Sequence, residues 1–210
     1  MNILKPQKVH FKELMDIKLK GIQEIEKLEY SSLADEECNQ LKIRNIEFEY
    51  CKFRNIQIQN GELEKLTFKD VIFENCDFAN TSFIDSCFIR CEFNNCKLSG
   101  CDFSENRLYN IGFIETNANY INLSNVRIEN VLFENVQMRN SYFQETKMKN
   151  VYFENTDLTQ AQFFKTSLKG IDLSNCQIEQ IAITIEDIRG ATIDQFQAID
   201  LLYLLGVKVK

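Results

Sequence analysis

The sequence predicts a single-domain repeat rod whose chain turns a corner every five residues. Three observations carry that expectation. An apolar residue recurs at every fifth position, as in Phe73, Phe78, Phe83, Phe88, Phe93, Leu98 and Phe103. Two places before each stands a small or β-branched residue: Val71, Cys76, Thr81, Ser86, Cys91, Cys96 and Cys101. Two places after comes, very often, Asn, Asp or Gly, as at Asn75, Asn80, Asp85, Asn95 and Gly100. A period of five fits neither a helix nor a flat strand. A corner after each unit does fit, because Asn and Gly accept tight-turn conformations.

From Ile43 to Ile193 the frame never slips, which gives 31 consecutive units, with Asn at the turn position in 14 of them. The centre is Phe, Leu, Ile or Met in every unit except the one holding Ala118. The chain therefore divides into an N-terminal cap or oligomerisation segment (1–40), the repeat region (41–193) and a C-terminal cap or dimerisation segment (194–210). A stacked core needs a cover at each end.

Composition narrows the function. With 31 acidic and 24 basic residues the net charge is −7, a poor match to an ordinary phosphate- or nucleic-acid-binding protein. The one proline, Pro6, and the seven glycines leave little room for irregular loops. No secretory h-region follows Met1, and no apolar run approaches the roughly 20 residues of a membrane span. Eight cysteines without a secretory signal imply reduced thiols, so a cytoplasmic location is expected.

Units such as CDFAN (76–80), CDFSE (101–105), TDLTQ (156–160) and IDLSN (171–175) resemble the pentapeptide-repeat family, whose unit approximates A(D/N)LXX. The resemblance covers about three quarters of the chain. It implies an all-β fold, a right-handed quadrilateral β-helix with four units per coil, so that residues 20 apart stack. Phe53, Phe73, Phe93, Phe113, Phe133 and Phe153 then form one inward ladder, followed by Leu173. Asn106 in an inward slot and Ala118 at a centre break the local rule. A bend, a bulge or a buried water in this middle coil would each accommodate them.

The N-terminal segment mixes helical spacing (Ile22, Ile25, Leu28) with strand alternation (Ile17, Leu19), although Leu28 and Leu33 fall in frame. Residues 194–205 read as a helix, capped by a Thr192–Gln195 box or by Asp194, and ended by Gly206. Ala198, Leu201, Leu202 and Leu205 line the face that would close the core, and Val207–Val209 alternates like an edge strand. This tail is similar to the C-terminal helix and strand of quinolone-resistance members of the family. The resemblance implies a homodimer through Ile199, Leu202, Tyr203, Leu204, Val207 and Val209.

No chemistry-bearing constellation stands out. Cys51, Cys76, Cys91, Cys96, Cys101 and Cys176 occupy inward slots at the repeat spacing, without the C-x₂-C of a zinc site. Cys87 falls in an outward slot and is the expected reactive thiol. His10, the only histidine, has no nucleophile partner, and no G-x-G-x-x-G loop occurs. Neither an enzyme, a cofactor nor a metal is expected. The outward positions Ile72, Ile89, Ile114, Leu132 and Tyr152, with Glu74, Glu134 and Glu154, form a candidate interaction surface or merely cross-coil stacking.

Two functions follow. One is a non-enzymatic interaction scaffold with a protein partner. The other, implied by the quinolone-resistance branch, is a DNA mimic that binds DNA gyrase. Residues 41–195 hold 22 acidic and 16 basic residues, interleaved, whereas a mimic calls for uninterrupted rows of carboxylates.

Overall fold

The structure, a computed structural model, describes residues 14–206. It is a four-sided parallel β-helix in which every strand pairs with one on the neighbouring coil. The coil rises because every fifth residue takes a left-handed conformation. From residue 30 to 190, each position divisible by five has φ between 48° and 85°, with residues 175 and 185 as exceptions. The pairing offset is 20 residues, as in Phe53↔Phe73, Phe93↔Phe113 and Phe133↔Phe153.

The four sides can be named by the centres of one coil: Phe83, Phe88, Phe93 and Leu98. On the Phe88 and Phe93 sides, successive units merge into four stacked strands, Cys87–Asn94, Arg107–Ile114, Arg127–Glu134 and Lys147–Glu154. The other two sides hold tight turns joined by single bridges such as Asp77↔Lys97 and Ser82↔Asp102. Centres point inward and stack. Ring centroids along the Phe93 side lie 5.0, 4.5, 5.0, 5.0 and 5.0 Å apart from Phe53 to Phe153. Each buried phenylalanine contributes about 1.5–3 kcal/mol of hydrophobic stabilisation.

The small slot has a second duty. Its hydroxyl or thiol donates to the carbonyl 23 residues earlier, as in Thr81 to Ile58 (2.6 Å), Thr116 to Phe93 (3.1 Å) and Cys91 to Phe68 (3.4 Å). Serine, threonine and cysteine therefore recur there because they are small and can donate.

The middle coil is regular. Pairing of Arg107–Ile114 with both neighbours runs unbroken, so Asn106 and Ala118 produce neither bend nor bulge. Asn106 is buried and its Oδ1 accepts from Ser86 N–H at 2.7 Å.

Coil geometry extends N-terminal to Leu41. Lys27–Glu29 and Ser31–Ala34 pair in register with the next coil, with Leu28 and Leu33 buried. Buried Leu19, with Ile22 on a short 3-10 turn (Ile22–Glu24), covers this end. His10, Val207 and Val209 lie outside the described residues.

The C-terminal end differs from the expected single helix. Ile185–Ile188 forms a helical turn capped by Thr184, displacing the unit centred on Ile188 from strand geometry. The tail then holds one α-turn, Gln197–Asp200, and one 3-10 turn, Leu202–Leu205. Its cap is reciprocal between Asp194 and Gln197: Asp194 Oδ1 accepts from Gln197 N–H, and Gln197 Oε1 from Asp194 N–H, each at 2.8 Å. The Thr192–Gln195 box does not form. Leu201 and Leu204 face the core, while Leu205 is 68 % exposed, so the covering face is rotated from the expected one.

Candidate interaction surface

On the Phe93 side, one outward column runs Ile72, Glu92, Gly112, Leu132, Tyr152. The other runs Glu74, Asn94, Ile114, Glu134, Glu154. Strand alternation places both columns outside, while Phe73 to Phe153 point in. Leu132 and Tyr152 are in register on adjacent strands. Ile114 lies over Gly112, where an added Cβ would meet its Cδ1 at 3.6 Å. These three form one half-buried apolar strip. Ile72 is separated from the strip by Glu92 and Gly112. Ile89 stands on the Phe88 side between Lys69 and Tyr109.

The predicted carboxylates divide in the same way. Glu74 is paired with Lys52 at 2.6 Å. Glu134 and Glu154 stack in register, and no ion pair reaches either among the described residues. Elsewhere, acidic groups are neutralised by cations one coil away: Lys42–Glu62 (2.6 Å), Arg44–Glu64 (3.2 Å), Lys97–Asp77 (3.1 Å) and Arg90–Asp70 (2.6 Å). Glu49 lies between Lys27 and Lys69, whose hydrogen bonds hold its carboxyl below the usual value.

Sequence reasoning missed a basic row. Arg107, Arg127 and Lys147 are exposed and in register on the Phe88 side, with Lys149, Lys169 and Arg189 on the same side. Of these six, only Lys149 has an ion pair among the described residues, with Glu129. The signal was there at 20-residue spacing, but composition masked it.

The inward thiols are sequestered. Burial pushes Cys51 and Cys176 up to about 11 and Cys91 up to about 12. Cys87 is half-buried, and burial raises it as well. Among the described residues no cluster of His, Cys, Asp or Glu could hold a metal ion. No helix among them is long and apolar enough to cross a membrane.

Tail residues fall into two groups. Leu204 packs on the core, and Tyr203 Oη donates to the Ile181 carbonyl while its ring stays half-exposed. Burial raises the Tyr203 phenol above its usual value. Ile199 is 54 % and Phe196 70 % exposed, and Leu202 is half-buried.

Two family models match, "Pentapeptide repeat region" over residues 86–163 and "Pentapeptide repeats (8 copies)" over 62–100. A comparison with curated proteins gives no match. Among solved structures, full-length QnrB1, described as a plasmid-mediated fluoroquinolone resistance protein, is 18 % identical. That match covers 86 % of this chain and 100 % of QnrB1, with a TM-score of 0.40. HetL, involved in heterocyst differentiation regulation in the cyanobacterium Nostoc sp. strain PCC 7120, is 9 % identical. It covers 81 % of this chain and 92 % of its own, with a TM-score of 0.32. The five-residue frame, its inward ladders and these two family models agree: residues 62–163 are built of pentapeptide repeats.

Proposed function

We propose that the protein is a non-enzymatic interaction scaffold that presents the Phe93 side of its rod to a protein partner. The observation that carries this reading is the joining of Ile114, Leu132 and Tyr152 with the open carboxylates Glu134 and Glu154. Most other acidic groups of the rod are neutralised in place. An apolar strip with a charged rim is the usual anatomy of a protein contact. Leu132→Ser with Tyr152→Ser tests it: the variant should keep its β-rich circular dichroism and lose a partner captured from a lysate by the wild-type rod. Retained capture would remove this strip.

A second reading is a gyrase-directed DNA mimic, favoured by the Glu134–Glu154 stack, which has no cation against it. It predicts inhibition of gyrase supercoiling, or relief of quinolone poisoning, that Glu134→Gln with Glu154→Gln weakens. No effect at high micromolar protein would discard it.

The rod is further proposed to act as a homodimer through its C-terminal end. Exposed Leu205 lines an apolar groove with Ile185, Ile188 and Ala198, and the same tail exposes Phe196 and Ile199. Ile199→Glu with Leu205→Glu should halve the mass measured in solution. An unchanged mass would exclude this end as the interface.

A further inference from the structure

The ladder that joins successive coils breaks once on two adjacent sides. The Lys147–Glu154 strand pairs with Arg127–Glu134 on one edge, but among the described residues no backbone hydrogen bond joins it to 167–174. In earlier coils the equivalent bonds are present, for example Asp70 N–H to Ile89 O at 3.0 Å and Asn135 N–H to Glu154 O at 2.9 Å. The amides of Asn150 and Asn155 make no such bond. The cause is a change of local geometry. Below the break the Phe88 and Phe93 sides are strands. Above it, 167–174 adopts the tight turns of the other two sides and bonds onward, through Leu168 N–H to Asp187 O and Leu173 N–H to Thr192 O. A cleft of about 680 Å³ opens between the two, with Tyr152 and Ile171 among its lining residues.

Charge is unevenly placed along this cleft. Lys149 and Lys169 line one end, and exposed Lys147 stands beside it; Glu154 and Asp172 line the other end. Lys147 and Lys169 have no ion pair among the described residues. We propose that this opening is a docking groove for an extended acidic peptide of a protein partner. The peptide adds to the free edge of Lys147–Glu154 and sets its carboxylates against Lys147, Lys149 and Lys169. Strand addition uses main-chain hydrogen bonds for affinity and alternate side chains for specificity. A free strand edge offers the donors and acceptors that a peptide backbone, and not a nucleic acid, can match. The proposal deepens the scaffold reading by naming the partner's chemistry, and rests on it only in requiring a protein partner.

The test uses the full chain and a fluorescein-labelled, acetylated octapeptide, EVEVVTVK, whose alternation shifts at the Asn150 corner, read by anisotropy. Binding is expected in the micromolar range, weakened at least about tenfold when alternate amides of the peptide are N-methylated. Lys147→Glu with Lys169→Glu, both exposed, should lose binding and gain it for the charge-swapped KVKVVTVE. Equal affinity for the N-methylated peptide overturns strand addition. Tighter binding of a single-stranded oligonucleotide of equal charge overturns the partner class. No binding at ~100 μM, near the weak end of specific contacts, overturns the site. A lysate partner lost on Ile114→Ser with Leu132→Ser, both outside this cleft, yet kept by Lys147→Glu with Lys169→Glu, would leave the scaffold reading standing while this one fails.

Discussion

Arg90 grips Asp70 through two parallel hydrogen bonds, Nε to Oδ1 at 2.7 Å and Nη2 to Oδ2 at 2.6 Å. Both residues sit at left-handed corners, one coil apart, and Asp70 is buried. At other corners neutral amides do the stacking, as in Asn95 to Asn75 (2.8 Å) and Asn155 to Asn135 (2.7 Å). Removing one member of a buried ion pair leaves a desolvated charge behind. Arg90→Ala should therefore cost about 3 kcal/mol in urea unfolding, the low end for a buried pair because Arg90 is partly exposed. Asp70→Asn with Arg90→Asn, which restores the amide ladder, should recover most of it. Equal losses in both variants would show that the pair adds nothing beyond packing.

Asn106 occupies a slot that other coils fill with Ser86, Thr146 and Thr166 or with the apolar Ile46, Leu66 and Val126. Its Oδ1 accepts from Ser86 N–H, but its Nδ2 is buried without a hydrogen-bond partner. A threonine performs both duties on the opposite side of the same coil: Thr116 Oγ1 accepts from Cys96 N–H (3.4 Å) and donates to the Phe93 carbonyl (3.1 Å). Asn106→Thr should raise stability by about 1 kcal/mol, read as a higher melting temperature. A lower one would mean that the amide packing outweighs its unmet donor.

Corners, centres and small slots were legible because a five-residue period forces them. The residue types at corners were less so. Asn and Gly announce a left-handed turn, yet Tyr50, Lys65, Glu115 and Tyr120 adopt it too, imposed by coil stacking rather than by local preference. The candidate surface was half legible. Parity placed Leu132 and Tyr152 outside, but the neutralisation of Glu74 by Lys52 depends on a diagonal contact between coils. The broken ladder beside Lys147–Glu154 left only a faint trace, the passage from Met148 and Phe153 to Leu168 and Leu173. Which turn type a unit adopts is decided by its stacking neighbours. The tail's covering face was misread because a helix of separate short turns does not keep one heptad-like stripe.

Replacing an unfavourable corner residue should stabilise the rod. Glu115 holds φ at 50°, a region that disfavours residues other than Gly and Asn by roughly 1 kcal/mol or more. Glu115→Asn should gain about 0.5–1 kcal/mol, and Glu115→Val should lose more than that. Identical melting temperatures for the two would show that stacking alone sets the corner.

Acid should weaken the rod through particular carboxylates. At Asp77 burial raises the carboxyl, but hydrogen bonds from Ala79 N–H, Lys97 and Gln59 outweigh it and leave the value below 3.8. Asp157 behaves alike: burial is outweighed by hydrogen bonds from Thr159 and Arg139. Both bind a proton less readily folded than unfolded. Their stabilisation is complete above about pH 4 and is lost as pH falls through the depressed folded values. Asp77→Asn with Asp157→Asn should lower the urea midpoint at pH 7 and flatten its decline between about pH 4 and pH 2. An unchanged slope would assign acid sensitivity elsewhere.

Among the described residues no coil follows the last ones to take up their carbonyls, and the tail supplies side chains instead. Gln197 Nε2 donates to the carbonyls of Leu173 (2.8 Å) and Cys176 (2.7 Å), while its Oε1 caps Asp194 N–H. Tyr203 Oη does the same for Ile181. Gln197→Glu keeps the size and the acceptor but removes the donors, leaving two buried carbonyls facing a carboxylate. It should cost about 1–3 kcal/mol locally, seen as faster amide exchange across 171–181 with little change near the Phe68–Phe88 coils. Gln197→Leu, which also removes the cap, should lose more. Exchange rates equal to wild type in both variants would show that Leu201 and Leu204 close this end by packing alone.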